Sequence, residues 1–166
     1  MPGWRTVIIL FLISIIQHSF LALLAPKWPL ELPLLVTLLY ALRWGEGKGA
    51  KLGAFFGLLE DLYLGRYVGL HVVGYVAAGL AAGWAGRRFF RENLVIFMGL
   101  IFALTFFHQI VSYLLLYVFG FPADLLAVLS QIAWPRALVH ALLAPFLYQP
   151  VVAIPLEKKA RLQYLG

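Results

Sequence analysis

Long apolar runs separated by short polar breaks dominate the chain. The runs show neither the strict alternation of a half-buried strand nor the narrow stripe of a surface helix. They cover approximately residues 6–24, 30–44, 50–64, 69–86, 93–119 and 127–154. Each break carries a turn signal: Pro26, Pro29 and Pro33; Gly45-Glu46-Gly47-Lys48-Gly49; Gly65-Arg66-Tyr67-Val68; the basic cluster Arg87, Arg88 and Arg91; and Gly120, Pro122 and Asp124. The pattern predicts six helices in one transmembrane domain over residues 1–166, an all-α polytopic membrane protein. Pro33 is placed to open the second helix, since proline is tolerated in a first turn and nowhere else inside a helix. That helix, LLVTLLYALRW, falls short of the roughly 20 residues a spanning segment needs. It either borrows length from Trp28–Leu32 or tilts into a thinner part of the assembly. Pro135, Pro145 and Pro150 predict that the sixth helix is kinked or broken. The first run, preceded by Arg5, also has the outline of a secretory signal. Its end, Ala22 to Pro26, makes a poor cleavage site, so a retained helix is the favoured reading.

Composition fits this setting. The chain is 63% hydrophobic and 12% charged with a mean hydropathy of +0.92, whereas a soluble domain is about 25% charged. There are no cysteines, which excludes disulfides, zinc–thiolate sites and thiol chemistry. The net charge of +6 does not indicate nucleic acid, because the basic residues sit in short clusters between apolar runs, as topology determinants do. With six spans, ten basic residues fall on the side of the termini and two, Lys27 and Arg66, on the other, leaving Arg136 within a span. This bias predicts cytosolic termini. Trp28 and Trp44 suit the aromatic belts at the two interfaces. The glycine-rich turn at 45–49 lacks the G-x-x-x-x-G-K-[ST] pattern of a phosphate loop, and H-E-x-x-H and G-x-S-x-G are absent too. No catalytic constellation, metal site or cofactor is predicted.

Residues 53–83 carry the most organised pattern. Gly53, Gly57 and Asp61 stand at i, i+4 and i+8 on one helix face, and Gly79 and Gly83 repeat the spacing in the next run. Small residues at this spacing let backbones approach closely, either between the third and fourth helices or at a seam with a partner or a second copy in a homodimer. Asp61 lies ten residues beyond Lys51, about 15 Å up a helix. A charge at that depth costs about 2.5–3.5 kcal/mol and calls for a partner. Gln17, Glu60, Asp61, His71, His108 and Arg136 all count to the middle or outer half. They are predicted to converge on an outward-facing polar pocket, with Arg136 paired to Asp61 or Glu60 as its central ion pair. His18, His108 and His140 are read as interhelical hydrogen-bonding groups rather than metal ligands.

The run Gly53-xxx-Gly57-xxx-Asp61-Leu62, then Gly65, Gly69-Leu70-His71, Tyr75, Gly79 and Gly83, resembles the rod shape-determining MreD family, as does Leu32-Pro33-Leu34-Leu35. The resemblance covers nearly the whole chain. It is sharp over residues 53–83 and vague in the first, fifth and sixth helices. Glu60 departs from it, standing where an apolar residue is expected. The resemblance implies a non-enzymatic, multi-pass subunit of the bacterial inner membrane that belongs to the elongation machinery for lateral peptidoglycan synthesis. It implies MreC as a direct partner, with RodA, its transpeptidase and MreB in the same complex. It also implies a fold similar to the S component of energy-coupling-factor transporters, which keeps a small-molecule binding or transport subunit as the alternative.

Overall fold

The computed structural model describes residues 30–65, 69–89, 93–121 and 124–152, together with Ile9, Leu12 and Ile15 of the first apolar run. Gln17, His18 and most of the first predicted span lie outside the described residues. Five helices follow one another: α1, Leu32–Trp44; α2, Glu46–Leu64; α3, Leu70–Phe89; α4, Leu94–Val118; and α5, which runs from Leu125–Val128 through a π-helical turn at Leu129–Ala133 into Trp134–Val152. No strand occurs among the described residues.

The breaks are shorter than the sequence suggests. Gly45 alone separates α1 from α2, with φ at +90°, a region that favours glycine. The predicted turn at 45–49 is therefore corrected: its last four residues are the first turn of α2. Gly49 belongs in a helix because its missing side chain lets α2 lie against Ala41 and the backbone of Gly79. Gly65 ends α2 in the left-handed conformation, and its N–H closes on the Asp61 carbonyl. The Asn93 side chain caps α4 by accepting from the N–H groups of Val95 and Ile96, and Asp124 caps α5 by accepting from that of Leu126.

The prolines fall in two settings. Pro33 sits in the first turn of α1, where its missing N–H costs nothing. Of the two expected forms of the last helix, kinked or broken, the broken one does not occur, since α5 continues through Pro135, Pro145 and Pro150 to Val152. The π turn at Leu129–Ala133 lies immediately before Pro135. A wider turn there relieves the clash between the proline ring and the carbonyl four residues earlier, at Gln131.

α1 is the centre of the molecule. Ten consecutive residues, Pro33 to Leu42, are buried, which is the pattern of a helix surrounded on all sides. α2 and α3 form a tight antiparallel pair on one side, and α4 and α5 pair on the other, all four packing on α1 or on each other. Leu94–Val118 and Leu125–Tyr148 are long and apolar enough to cross a membrane. α1, at 13 residues, is only about 20 Å long. Its first residue therefore lies within the height of the longer helices, a fact that shapes the polar interior.

Candidate functional site

Two polar clusters occupy the interior, and each closes the start of a helix. The first is built around Asp61 in the last turn of α2. Its carboxylate accepts hydrogen bonds from the backbone N–H groups of Gly69 (2.7 Å), His71 (2.9 Å) and Val72 (3.3 Å), and lies 2.8 Å from His71 Nδ1. These are the orphan donors that open α3. Gly69, with φ at +106°, turns the chain so that they point back at Asp61. Anionic charge at a helix N-terminus also meets the positive end of the helix dipole. Asp61 is almost fully buried, while the His71 side chain keeps 30% of its exposure.

The second cluster surrounds Glu31, the residue before α1. Its carboxylate accepts from Arg136 Nη1 on α5 at 2.5 Å and from the Tyr75 hydroxyl on α3, also at 2.5 Å. Its own N–H donates to His140 Nε2 at 3.1 Å, and the other ring nitrogen of His140 lies 3.1 Å from Thr105 Oγ1 on α4. Glu31 thus makes no side-chain cap to its own helix, because its carboxylate is committed to α3 and α5. Non-helical backbone at membrane depth is tolerated only where protein satisfies its polar groups. His140 does this for Glu31, and Pro33 removes one further donor. His108 extends the cluster: its ring packs edge-on to Tyr75 with centroids 5.2 Å apart, beside Gly74, Gln109 and Ser112.

The predicted site residues are therefore brought to two places. Asp61 and His71 belong to the α2–α3 turn, and His108 and Arg136 to the cluster around Glu31. The predicted Arg136–Asp61 ion pair does not form, since the hydrogen bonds of Asp61 close the start of α3 and Arg136 is paired with Glu31. Glu60 is buried next to Asp61, turned about 100° around α2, and acts electrostatically on the Tyr75 phenol. Sequence reasoning does not place Glu31, Tyr75 or Thr105 among the interior polar groups. The signal that could find Glu31 is depth: counting up from Trp44 through a helix too short to span puts it near the level of His108. Residue type gives no such signal for Tyr75 or Thr105.

The glycines line the join between α2 and α3. A methyl group on Gly57 would lie 2.5 Å from Val72 Cα, and one on Gly79 would lie 2.5 Å from the Gly49 carbonyl oxygen. Methyls on Gly53 and Gly83 would overlap the backbones of Tyr75 and Glu46. The two backbones thus touch along the whole stripe, and no third helix can use the same line. Among the described residues no group of three or more His, Cys, Asp or Glu side chains could hold a metal ion.

Among the described residues the protein is all-helical, with one helix buried on every side and two flanking helices long and apolar enough to cross a membrane. The two polar clusters around Asp61 and Glu31 join helices to one another. The family model for the rod shape-determining protein MreD matches residues 3–155, and the chain belongs to that family. Comparison with curated proteins and with solved structures gives no match. Membership makes this a cell-shape-determining membrane protein, in a family of structural proteins not known as enzymes.

Proposed function

We propose that the chain is a six-span, non-enzymatic scaffold of the inner (cytoplasmic) membrane, with both termini cytosolic. In this reading it binds MreC and works with RodA, its transpeptidase and MreB in lateral peptidoglycan synthesis. The observation that carries the reading is the family match over residues 3–155. The interior supports it, because Arg136, Tyr75 and His140, from α5 and α3, all bond to Glu31 at the start of α1 and so tie three helices together. The arrangement suits a rigid platform better than the S-component-like transport subunit. The glycine stripe is used within the chain, so MreC must meet another face.

Depletion in a rod-shaped host tests the function: cells round up and MreC disperses from its sites along the side wall. Cells that stay rod-shaped, with MreC in place, would overturn the scaffold reading. The topology has a separate test. The chain lacks cysteine, so single thiols introduced near Lys48 and near the C-terminus can be challenged with an impermeant label from outside the cell, and neither is expected to react. Labelling of either would overturn the cytosolic assignment.

A further inference from the structure

One end of the bundle collects cations onto tryptophan rings. The last turn of α1, the first turns of α2 and the last turn of α3 meet there: a methyl on Gly86 would press on the Leu42 backbone, one on Gly83 would press on that of Glu46, and Arg87 is paired with Glu46. The three helix ends carry Arg43, Lys48, Lys51, Arg87 and Arg88, against one acid, Glu46, among the described residues there. Three of these cations rest on indole faces: Arg43 and Lys48 on Trp44, and Arg88 on Trp84. Lys48 Nζ stands 4.9 Å from the Trp44 ring centroid, and the Arg88 guanidinium carbon stands 5.1 Å from that of Trp84. Trp84 is 46% exposed on the outer surface of α3.

We propose that this end is a binding site for the headgroup of an anionic phospholipid, with Lys48 and Arg88 as the phosphate-binding cations. Two independent features point to lipid. The first is the excess positive charge, which selects an anion. The second is depth: tryptophan settles at the headgroup level of a bilayer, so a cation lying on its ring is held at the height of the lipid phosphates. The ring occupies one face of each cation, and guanidinium and ammonium each carry further N–H groups that can donate to phosphate oxygens. A soluble acidic protein would meet cations projecting beyond the headgroups, whereas these are drawn back onto the membrane-level rings. The inference concerns the membrane around the chain and does not depend on the scaffold reading.

The test uses the full-length chain in neutral detergent. Its unfolding midpoint is followed as phosphatidylglycerol, phosphatidylcholine, inorganic phosphate or a polyglutamate peptide is added at matched ionic strength. Phosphatidylglycerol is expected to raise the midpoint well above the effect of phosphatidylcholine, with inorganic phosphate and polyglutamate inert. The variants Lys48→Gln and Arg88→Gln are each expected to weaken phosphatidylglycerol binding about fivefold, in line with about 1 kcal/mol per basic residue near an anionic surface. Trp84→Leu keeps every charge and is expected to weaken it as well, by releasing Arg88 from its position. Equal responses to the two lipids would overturn the proposal. So would a full response from the Lys48→Gln/Arg88→Gln double variant, or a response to phosphate or polyglutamate that matches the lipid's. Because the comparison is made between lipids for each variant, a change in basal stability does not mask the result.

Discussion

Two helix starts lie inside this molecule, and they are closed in different ways. α3 is closed by Asp61, which stands eight to eleven residues before the donors it accepts from, on the helix that precedes them. α1 is closed from the far end of the chain: His140, 109 residues away, accepts from the Glu31 N–H, and Arg136, 105 residues away, neutralises its carboxylate. The local closure forms as soon as two neighbouring helices dock. The distant one forms only when α5 has packed, so it reports on the completed bundle. The α2–α3 hairpin is thus a self-contained unit, while α1 depends on the whole assembly.

The sharpest way to break this contrast is to strand the buried charge. Arg136→Leu leaves Glu31 charged and uncompensated, and is expected to destabilise the chain by about 3–5 kcal/mol, read by denaturant unfolding in mixed micelles. Glu31→Gln/Arg136→Leu should be milder than Arg136→Leu alone, because the stranded charge is gone. A double variant as unstable as the single one would remove the pair from the account.

Asp61→Ala comes next. It opens a capped helix start and strands several donors, with an expected loss of about 2–3 kcal/mol in the same unfolding measurement. Combined with Arg136→Leu, it should add to within about 0.5 kcal/mol, as sites without a shared partner do. A larger deviation would mean that the two closures are coupled.

The seam supplies the smallest effects, with opposite signs. Gly79→Ala places a methyl against the Gly49 backbone and must push α2 from α3, at an expected loss of about 1–3 kcal/mol. Gly99→Ala, on α4 with open space around it, should gain up to about 1 kcal/mol from helix propensity. Equal outcomes at the two positions would contradict the backbone contact along α2 and α3.

Much of the fold is legible in the order of residues along the chain. The extent of the apolar runs, the proline at the start of α1, the i, i+4 glycines and the acid at their upper end are local signals, because they concern residues one helical turn or one loop apart. Sequence identifies Asp61 as a buried acid that needs a partner and offers Arg136 to it or to Glu60, whereas Asp61 is satisfied at the start of α3. An arginine elsewhere in the chain is the natural choice by charge, and nothing in residue type reveals that three backbone N–H groups and a neighbouring histidine already suffice. Gly45 reads as part of a five-residue turn because glycine content does not reveal how few residues a reversal needs. The prolines of α5 read as a kink or a break because the relieving π turn before Pro135 has no sequence signature.

The amino-acid sequence by itself determined that the chain is helical and membrane-embedded, and to which family it belongs. These follow from hydrophobicity, helix period and turn chemistry, which act over a few residues. Only the tertiary structure decided that Glu31 pairs with Arg136, that the glycine stripe is filled by the chain's own backbone, and that cations settle on the rings of Trp44 and Trp84. Each of these depends on which helix faces meet. That choice is made by packing among elements up to a hundred residues apart, where sequence spacing carries no geometric information.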